Sequence, residues 1–252
     1  MAMNYWTESS PAGGSQRSGD FAKCFDIAPH RRAIVVGDIA GHGDAAGHGA
    51  AVLWAYVYYL VGRGIPPDKA LRAASEFFIG SVMNDGIPFA SLFIAVADLR
   101  EGRIQYASAG HEPALLFSGD GVHEHLEPTG PVLGPVAEPE FVQHTLPLFR
   151  DSLLVVATDG ITEARRDAAD SLSFFGTSGV VRALCDAVRE QRDPAREIYG
   201  AAVRHAGGAF SDDASVVVSS LPFPHRVRMQ PSLHRHRPDE SLLAMTGAAL
   251  LS

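Results

Sequence analysis

The chain has 252 residues, of which 46% are hydrophobic and 20% are charged, and this composition is typical of a globular protein with one large or two small domains. Its formal net charge of −8 argues against a nucleic-acid-binding protein. No apolar run reaches the roughly 18 residues that span a bilayer, the polar N-terminus lacks the apolar core of a signal peptide, and Cys24 and Cys185 are far apart. We therefore expect a soluble, cytoplasmic protein that binds neither membrane nor nucleic acid.

The first half of the chain predicts a strand, a glycine-rich loop and two helices. The segment AIVVGD (33–38) is typical of a buried strand that ends in an acid. After the loop, apolar residues recur at helical spacing from about 45 to 62. Gly64 and Pro66 end that helix, and a second helix is predicted from about 68 to 82.

The second half of the chain is richer in strands. Three apolar segments separated by short turns predict an antiparallel meander, at 89–99, 103–110 and 113–117. The later elements are an alternating apolar and polar segment at 140–148, strands at 152–160 and 214–221, and helices at about 178–190 and 195–206. Strands together with two pairs of helices indicate an α+β fold whose sheets are covered by antiparallel helix pairs. The segment 221–252, rich in Arg, His and Pro, predicts a flexible tail or a small appended segment.

Acidic residues lie at the ends of the most apolar strands. Asp38 follows AIVVG, Asp159 follows LLVVAT, Asp212 and Asp213 precede ASVVV, and Asp20 precedes a shorter strand-like segment. If these strands are neighbours, their carboxylates meet at one rim of the sheet. Clustered carboxylates repel one another unless a cation neutralises them, and oxygen ligands favour the hard ions Mg²⁺ and Mn²⁺. Two such ions could activate a water molecule for attack on phosphorus.

Each acid taken singly has a simpler structural explanation, because Asp before Gly is a common turn former. The recurrence of Asp at several strand ends is what favours a metal site. Gly41 and Gly43, in the loop after Asp38, would let the backbone approach the hydration shell of an ion closely.

Five motifs in order carry a resemblance to a known family. They are SGD (18–20), GDIAGHGDAA (37–46), ASAGHEPALLF (107–117), ATDGITEAR (157–165) and SDDASVVV (211–218). The phrase GPVLG (130–134) also fits the position of a Gly-Pro-Leu-Gly turn in that family. Over about residues 15–220 the chain resembles the PP2C-like (PPM) metal-dependent serine/threonine phosphatases. It is most similar to the bacterial branch of the stage II sporulation and stress-response sigma-regulator phosphatases.

This resemblance implies a β-sandwich of two antiparallel sheets flanked by antiparallel helix pairs, a four-layer αββα domain over residues 1–220. It implies hydrolysis of phosphoserine or phosphothreonine by metal-activated water, without a Cys or Ser nucleophile. The implied cofactors are Mn²⁺ or Mg²⁺, two ions in all. The implied metal ligands are the carboxylates of Asp20, Asp38, Asp159 and Asp212 and the backbone carbonyl of Ile39. Asp38 would bridge both ions, and Asp38 and Asp159 are the implied catalytic residues.

The resemblance also implies a phosphorylated protein substrate, a STAS-domain protein or related anti-sigma-factor antagonist. One departure from the family pattern is Lys23, which stands where many relatives have a second Asp. It supports an alternative, a non-catalytic pseudophosphatase that acts as a regulatory binding module. Among the histidines, His42 and His48 lack the partners of a zinc site, and His111 is expected to anchor a turn between strands.

Overall fold

In the computed structural model of the protein, the described residues are 4–12, 17–118, 121–166 and 173–223. The predicted flexible tail at 221–252 therefore lies outside the described residues except for its first three. Within the described residues, no helix is both long enough and apolar enough to cross a membrane.

The described chain forms ten strands and five α-helices. The strands are β1 (Tyr5–Ser10), β2 (Asp20–Ala28), β3 (Arg31–Ile39), β4 (Ala90–Asp98), β5 (Arg103–Ala109), β6 (Ala114–Ser118), β7 (Gly121–Leu126), β8 (His144–Pro147), β9 (Ser152–Ala157) and β10 (Ala214–Leu221). The helices are α1 (Asp44–Gly62), α2 (Pro67–Gly80), α3 (Asp159–Thr162), α4 (Gly176–Arg189) and α5 (Pro194–His205). The predicted helices at 45–62, 68–82, 178–190 and 195–206 match α1, α2, α4 and α5 to within about two residues at each end.

The strands form two five-stranded antiparallel sheets. The first sheet has the order β1-β10-β9-β6-β7, and the second has the order β2-β3-β4-β5-β8. Helices α4 and α5 pack on the outer face of the first sheet, and α1 and α2 pack on the outer face of the second. The predicted four-layer αββα sandwich is confirmed.

Strand alternation explains how the layers are held together. On β3, Ala33 and Val35 face the α1–α2 layer, whereas Ile34 and Val36 face the other sheet, because successive side chains of a strand point to opposite faces. Both faces of β3 are therefore apolar, as expected for an inner strand. The same alternation places Asp38 on the face between the sheets, at the point where the strand ends.

The predicted meander at 89–117 is wrong at its third strand. β5 pairs with β4 and β8, whereas β6 pairs with β7 and β9 in the other sheet. All five residues of β6 are buried, so this strand needs a neighbour on each edge and cover on both faces, and it finds them inside the first sheet. The alternating segment at 140–148 forms a strand only over His144–Pro147.

Candidate active site

The predicted acids lie at one end of the sandwich. Asp20 begins β2 and is the cross-strand partner of Asp38 on β3. Asp159 begins α3 directly after β9, and Asp212 and Asp213 directly precede β10. Since β9 and β10 are antiparallel neighbours, the end of one and the start of the other meet at the same edge. The sandwich thus brings acids from both sheets to one end of the inter-sheet space.

Asp20 is the most enclosed of the four predicted carboxylate ligands, with 7% of its surface exposed. Thr158 Oγ1 donates a hydrogen bond to Asp20 Oδ2 at 2.7 Å, and the same hydroxyl accepts one from the backbone N–H of Ser215 at 2.9 Å. The other carboxylate oxygen, Asp20 Oδ1, is buried without a hydrogen-bond partner among the described residues. An oxygen in that condition is costly and fits a cation ligand.

Burial and mutual repulsion raise the pKa values of three of these acids. Burial, followed by the nearby charges of Asp159 and Asp212, raises the pKa of Asp38 to about 7. Burial and the charge of Asp212 raise the pKa of Asp159 to about 6. The pKa of Asp20 is raised well above its usual value, first by burial and then by Asp38. Bringing a cation to these carboxylates would offset the repulsion and favour their ionised forms.

The two adjacent acids before β10 differ in their contacts. Asp213 is buried, and its carboxylate accepts hydrogen bonds from the backbone N–H groups of Ala12 at 2.6 Å and Gly19 at 2.5 Å. Asp212 is exposed, and its Oδ1 accepts a hydrogen bond from the N–H of Asp213 at 2.8 Å. Asp213 thus fastens the N-terminal segment to β10. Its neighbour Asp212 stays the predicted ligand of the pair.

Two close approaches shape the backbone around the acids. Ile39 N–H donates to Gly19 O at 3.2 Å, which holds the end of β3 beside the start of β2. At Gly160, a Cβ atom would lie 2.0 Å from the backbone oxygen of Asp213, so only glycine permits α3 to lie this close to β10. Gly41 and Gly43, in the loop after Asp38, have φ of 99° and 85°, which side-chain-bearing residues rarely adopt.

The donor set fits a hard divalent cation, because every predicted ligand is a carboxylate or carbonyl oxygen. Within the described residues, however, no group of three or more His, Cys, Asp or Glu side chains is arranged so that it could hold a metal ion. The structure therefore brings the predicted carboxylates to one region but does not draw them into a closed coordination shell.

Lys23 does not join the acids. It lies three residues after Asp20 on β2 and is exposed, and an odd spacing along a strand places a side chain on the opposite face. Lys23 therefore lies on the α1 side of the sheet, away from Asp20 and Asp38. Its position gives no support to the idea that it replaces an acid in the site.

The three motif histidines lie in two different settings. His42 and His48 are exposed, in the loop before α1 and on α1. His111 is buried in the connection between β5 and β6, where its Nδ1 shares a 2.7 Å hydrogen bond with Ser91 Oγ of β4. Burial lowers the pKa of His111 to about 4, so its ring is neutral at physiological pH. Through this hydrogen bond, His111 holds the β5–β6 connection against β4, as expected for a residue that anchors a turn.

Sequence reasoning did not identify three polar residues beside the acids. Thr158 and Ser215 form the hydrogen-bond network around Asp20. Glu112 is half-buried, accepts a 3.4 Å hydrogen bond from Thr162 Oγ1, and has a pKa raised chiefly by burial. The signal for Thr158 was its position between an all-apolar strand and Asp159, where a hydroxyl needs a partner. Glu112 follows the motif histidine and gave no comparable signal.

Known proteins are similar to this chain in both sequence and fold. The sequence model of the family described as Stage II sporulation protein E (SpoIIE) matches residues 28–222. The phosphoserine phosphatase RsbU of Bacillus subtilis is 28% identical over 173 residues, covering 66% of this chain and 48% of RsbU. The phosphoserine phosphatase RsbP of the same organism is 27% identical over 151 residues, covering 59% of this chain and 38% of RsbP. The chain thus spans less than half the length of these relatives.

Solved structures agree with the architecture. The RsbU and RsbW domains of Rv1364c from Mycobacterium tuberculosis superpose with a TM-score of 0.72 at 23% identity, covering 88% of this chain and 61% of that one. The PP2C phosphatase domain of SpoIIE from Bacillus subtilis gives a TM-score of 0.73 at 18% identity, with 87% and 63% covered. The catalytic domain of the phosphatase PstP, in complex with two manganese ions, gives 0.61 at 16% identity, with 86% and 97% covered.

The family match spans more than three quarters of the chain and contains four of the five motifs, those from GDIAGHGDAA to SDDASVVV. The resemblance to the sporulation and stress-response branch of the PP2C-like phosphatases is thereby confirmed. The chain belongs to the stage II sporulation protein E (SpoIIE) family.

Proposed function

We propose that this protein is a metal-dependent protein serine/threonine phosphatase that hydrolyses phosphoserine and phosphothreonine with an activated water molecule. The observation that carries the proposal is the crowded group of Asp20, Asp38 and Asp159 at the end of the sandwich, with Asp20 Oδ1 buried and unpartnered among the described residues. Two relatives named phosphoserine phosphatases support it. Without a cation, these carboxylates would repel a dianionic phosphate ester. With bound cations, the same cluster could accept one.

The proposed metal ligands are the carboxylates of Asp20, Asp38, Asp159 and Asp212 and the backbone carbonyl of Ile39. Asp38 is proposed as the acid shared between two ions, since its pKa responds to Asp159 and Asp212 and it lies opposite Asp20. When bound, Mn²⁺ or Mg²⁺ would lower the pKa of a water molecule and neutralise charge on the phosphoryl oxygens. The manganese in PstP supports this choice of ion.

The chain's own residues have three further proposed roles. Thr158 holds the Asp20 carboxylate in one orientation through its 2.7 Å hydrogen bond. Asp213 fixes the backbone at Gly19, next to Asp20. Asp38 and Asp159, the proposed catalytic residues, would hold the cation, whose positive charge would favour the ionised form of the attacking water.

We further propose that the natural substrate is a phosphorylated STAS-domain protein or a related anti-sigma-factor antagonist in the cytoplasm. The similarity to RsbU and RsbP, and to a structure that contains RsbU and RsbW domains, supports a regulatory protein of this type. Both cysteines are free, which suits a reducing compartment.

Phosphate release from phosphorylated peptides tests the proposal. With Mn²⁺ present, we expect turnover of phosphoserine and phosphothreonine peptides, no turnover after chelation, and faster turnover of a phosphorylated STAS-domain protein than of a peptide. Equal rates on phosphotyrosine and phosphoserine peptides would contradict the substrate class. Turnover that persists in a chelator would contradict the metal requirement.

A further inference from the structure

Three polar side chains lie in one row across the second sheet, at the end where the acids meet. Asp20 of β2 is the cross-strand partner of Asp38 on β3, and Asp38 is in turn the partner of Ser91 on β4. Ser91 lies two residues before Phe93, whose side chain packs between the sheets, so the Ser91 hydroxyl is on the same face as both carboxylates. Side chains directly opposite each other in antiparallel strands have Cβ atoms about 4.5–5.5 Å apart. At that spacing a serine hydroxyl reaches the carboxylate of Asp38.

The Ser91 hydroxyl is bound by a buried histidine. Ser91 Oγ lies 2.7 Å from Nδ1 of His111, and no other hydrogen-bond partner of this hydroxyl lies among the described residues. His111 is 1% exposed, and its ring lies near Phe93 in the inter-sheet space, with 6.4 Å between ring centroids. The other ring nitrogen, Nε2, is buried without a partner in the described part of the chain. All the hydrogen bonding that the described chain offers this ring therefore goes to Ser91.

The position of the proton on the ring decides what the hydroxyl does. Burial lowers the pKa of His111 to about 4, so the ring is neutral at physiological pH and carries a single N–H. With the proton on Nε2, the Ser91 O–H would donate to Nδ1, and a buried N–H would lack an acceptor. With the proton on Nδ1, the ring donates to Ser91 Oγ, and the Ser91 proton is left for a second acceptor. The Asp38 carboxylate is one strand away, and hydrogen bonds to charged acceptors are the stronger ones.

We propose that His111 and Ser91 are positioning residues for the Asp38 carboxylate, with His111 Nδ1–H donating to Ser91 Oγ and the Ser91 O–H donating to Asp38. This role rests on the proposed function, in which Asp38 is shared between two metal ions. Carboxylates that bind metals are themselves oriented by hydrogen bonds, and removal of such a partner typically lowers metal affinity about 10–100-fold. Thr158 makes a contact of this kind with Asp20 on the neighbouring strand. His111 thus gains a role beyond anchoring its turn.

The tautomer of His111 tests this role directly. In the full chain with isotope-labelled histidine, two-bond proton–nitrogen correlation spectra show which ring nitrogen carries the proton. The His111 signals are assigned by their absence in His111→Asn. With diamagnetic Mg²⁺ present, we expect the proton on Nδ1. A proton on Nε2 would mean that Ser91 donates to the ring instead of to Asp38, and it would overturn the proposal.

Metal affinity, measured without turnover from the electron paramagnetic resonance signal of free Mn²⁺, tests the role of the hydroxyl. Ser91→Ala should bind Mn²⁺ at least tenfold more weakly than the wild type, whereas Ser91→Thr, which keeps a hydroxyl, should stay within about threefold. His111→Phe should weaken binding as Ser91→Ala does, and His111→Asn, whose amide N–H replaces Nδ1–H, should recover most of the affinity. Ser220→Ala, near the far end of β10, is the control and should bind like the wild type.

Different outcomes would contradict the two proposals. A wild type that binds neither Mn²⁺ nor Mg²⁺ would contradict the proposed function and this role of Ser91 with it. A wild type that binds Mn²⁺ while Ser91→Ala binds it equally well, or an equal loss in Ser91→Thr or Ser220→Ala, would overturn the role of Ser91 alone. Circular dichroism melts in chelator check that each variant folds. If Ser91→Ala does not fold, the comparison of His111→Phe with His111→Asn and the tautomer of the wild type decide the question.

Discussion

Thr158, which directly follows β9 of the first sheet, donates a hydrogen bond at 2.7 Å to Asp20 on β2 of the second sheet. This contact joins the two sheets inside the group of acids, and it leaves the other oxygen of Asp20 without a partner among the described residues. The orientation of Asp20 therefore depends on how the two sheets meet.

Thr158→Val should lower both the stability of the protein and its affinity for Mn²⁺. The substitution removes the hydroxyl from Asp20 and from the Ser215 N–H, and leaving buried groups unpaired costs about 1–3 kcal/mol. The Mn²⁺ concentration for half-maximal activity should rise severalfold, because the Asp20 carboxylate loses a bond that favours its ionised form. Thr158→Ser, which keeps the hydroxyl, is the control, and an unchanged Mn²⁺ requirement in the valine variant would refute the proposed role.

Asp212→Ala and Asp213→Ala form a matched pair with opposite expected effects. Asp213→Ala should lower the free energy of unfolding by roughly 2–3 kcal/mol, because two backbone N–H groups lose a charged acceptor. Asp212→Ala should change metal-free stability by less than about 0.5 kcal/mol, since Asp212 is exposed, and should reduce Mn²⁺-dependent activity. Urea unfolding and a Mn²⁺ titration measure the two effects. Similar stability losses in both variants would contradict the different roles.

The metal-free protein should lose stability as pH rises towards neutrality. The pKa of Asp38 is raised to about 7 in the fold, above the ordinary value of about 3.9 expected when unfolded. The folded state therefore binds more protons between these values, and the free energy of unfolding falls with rising pH by at most ~1.4 kcal/mol per unit for one such group. Asp159, at about 6, adds in the same direction.

Thermal melts from pH 4.5 to 7.5 in chelator measure this slope. Asp38→Asn should flatten it, and Mn²⁺ should raise the melting temperature more at pH 7.5 than at pH 5, where protons compete for the carboxylates. His111, with a lowered pKa of about 4, contributes the opposite slope between its unfolded value and that pH, so His111→Gln should steepen the net decline. A slope unaffected by Asp38→Asn would show that this acid is not the titrating group.

Gly160→Ala should destabilise the protein by about 1–3 kcal/mol. Its Cβ would meet the backbone oxygen of Asp213 at 2.0 Å, so α3 and Asp159 must move. Gly62→Ala in α1 is the control, because nothing lies within 4 Å of its Cβ position, and alanine there should stabilise the helix by about 0.5–1 kcal/mol. Chemical unfolding of both variants checks the contrast, and a neutral Gly160→Ala would show that α3 shifts freely.

Much of the fold could be predicted from the sequence where a local pattern decides the structure. The periodicity of α1 and α2 and the apolar runs of β3, β4, β9 and β10 reflect burial of whole faces. β1 and β7 could not be predicted in the same way, because at least half of the residues in each are polar and they are edge strands. The pairing of β6 with β9 rather than β5 depends on contacts distant in sequence, which no local pattern encodes.

The candidate site could be predicted in its acids but not in their supports. Strand-end position identified Asp20, Asp38 and Asp159, which the fold does bring to one region. The roles of Thr158 and Asp213 depend on how two sheets and the N-terminal segment meet, and so they became visible only in three dimensions. The position of Lys23 likewise required the register of β2.

Hydrolysis of p-nitrophenyl phosphate across a Mn²⁺ titration, by the wild type and by Asp38→Asn, tests the central claim most directly. Asp68→Asn, at the start of α2, is the matched control. We expect a rate that saturates with Mn²⁺ in the wild type and in Asp68→Asn, and a loss of at least a hundredfold in Asp38→Asn with its fold intact. Wild-type protein without turnover in Mn²⁺ or Mg²⁺, or an Asp38→Asn protein as active as the wild type, would contradict the assignment of this acid cluster as a metal-dependent phosphatase centre.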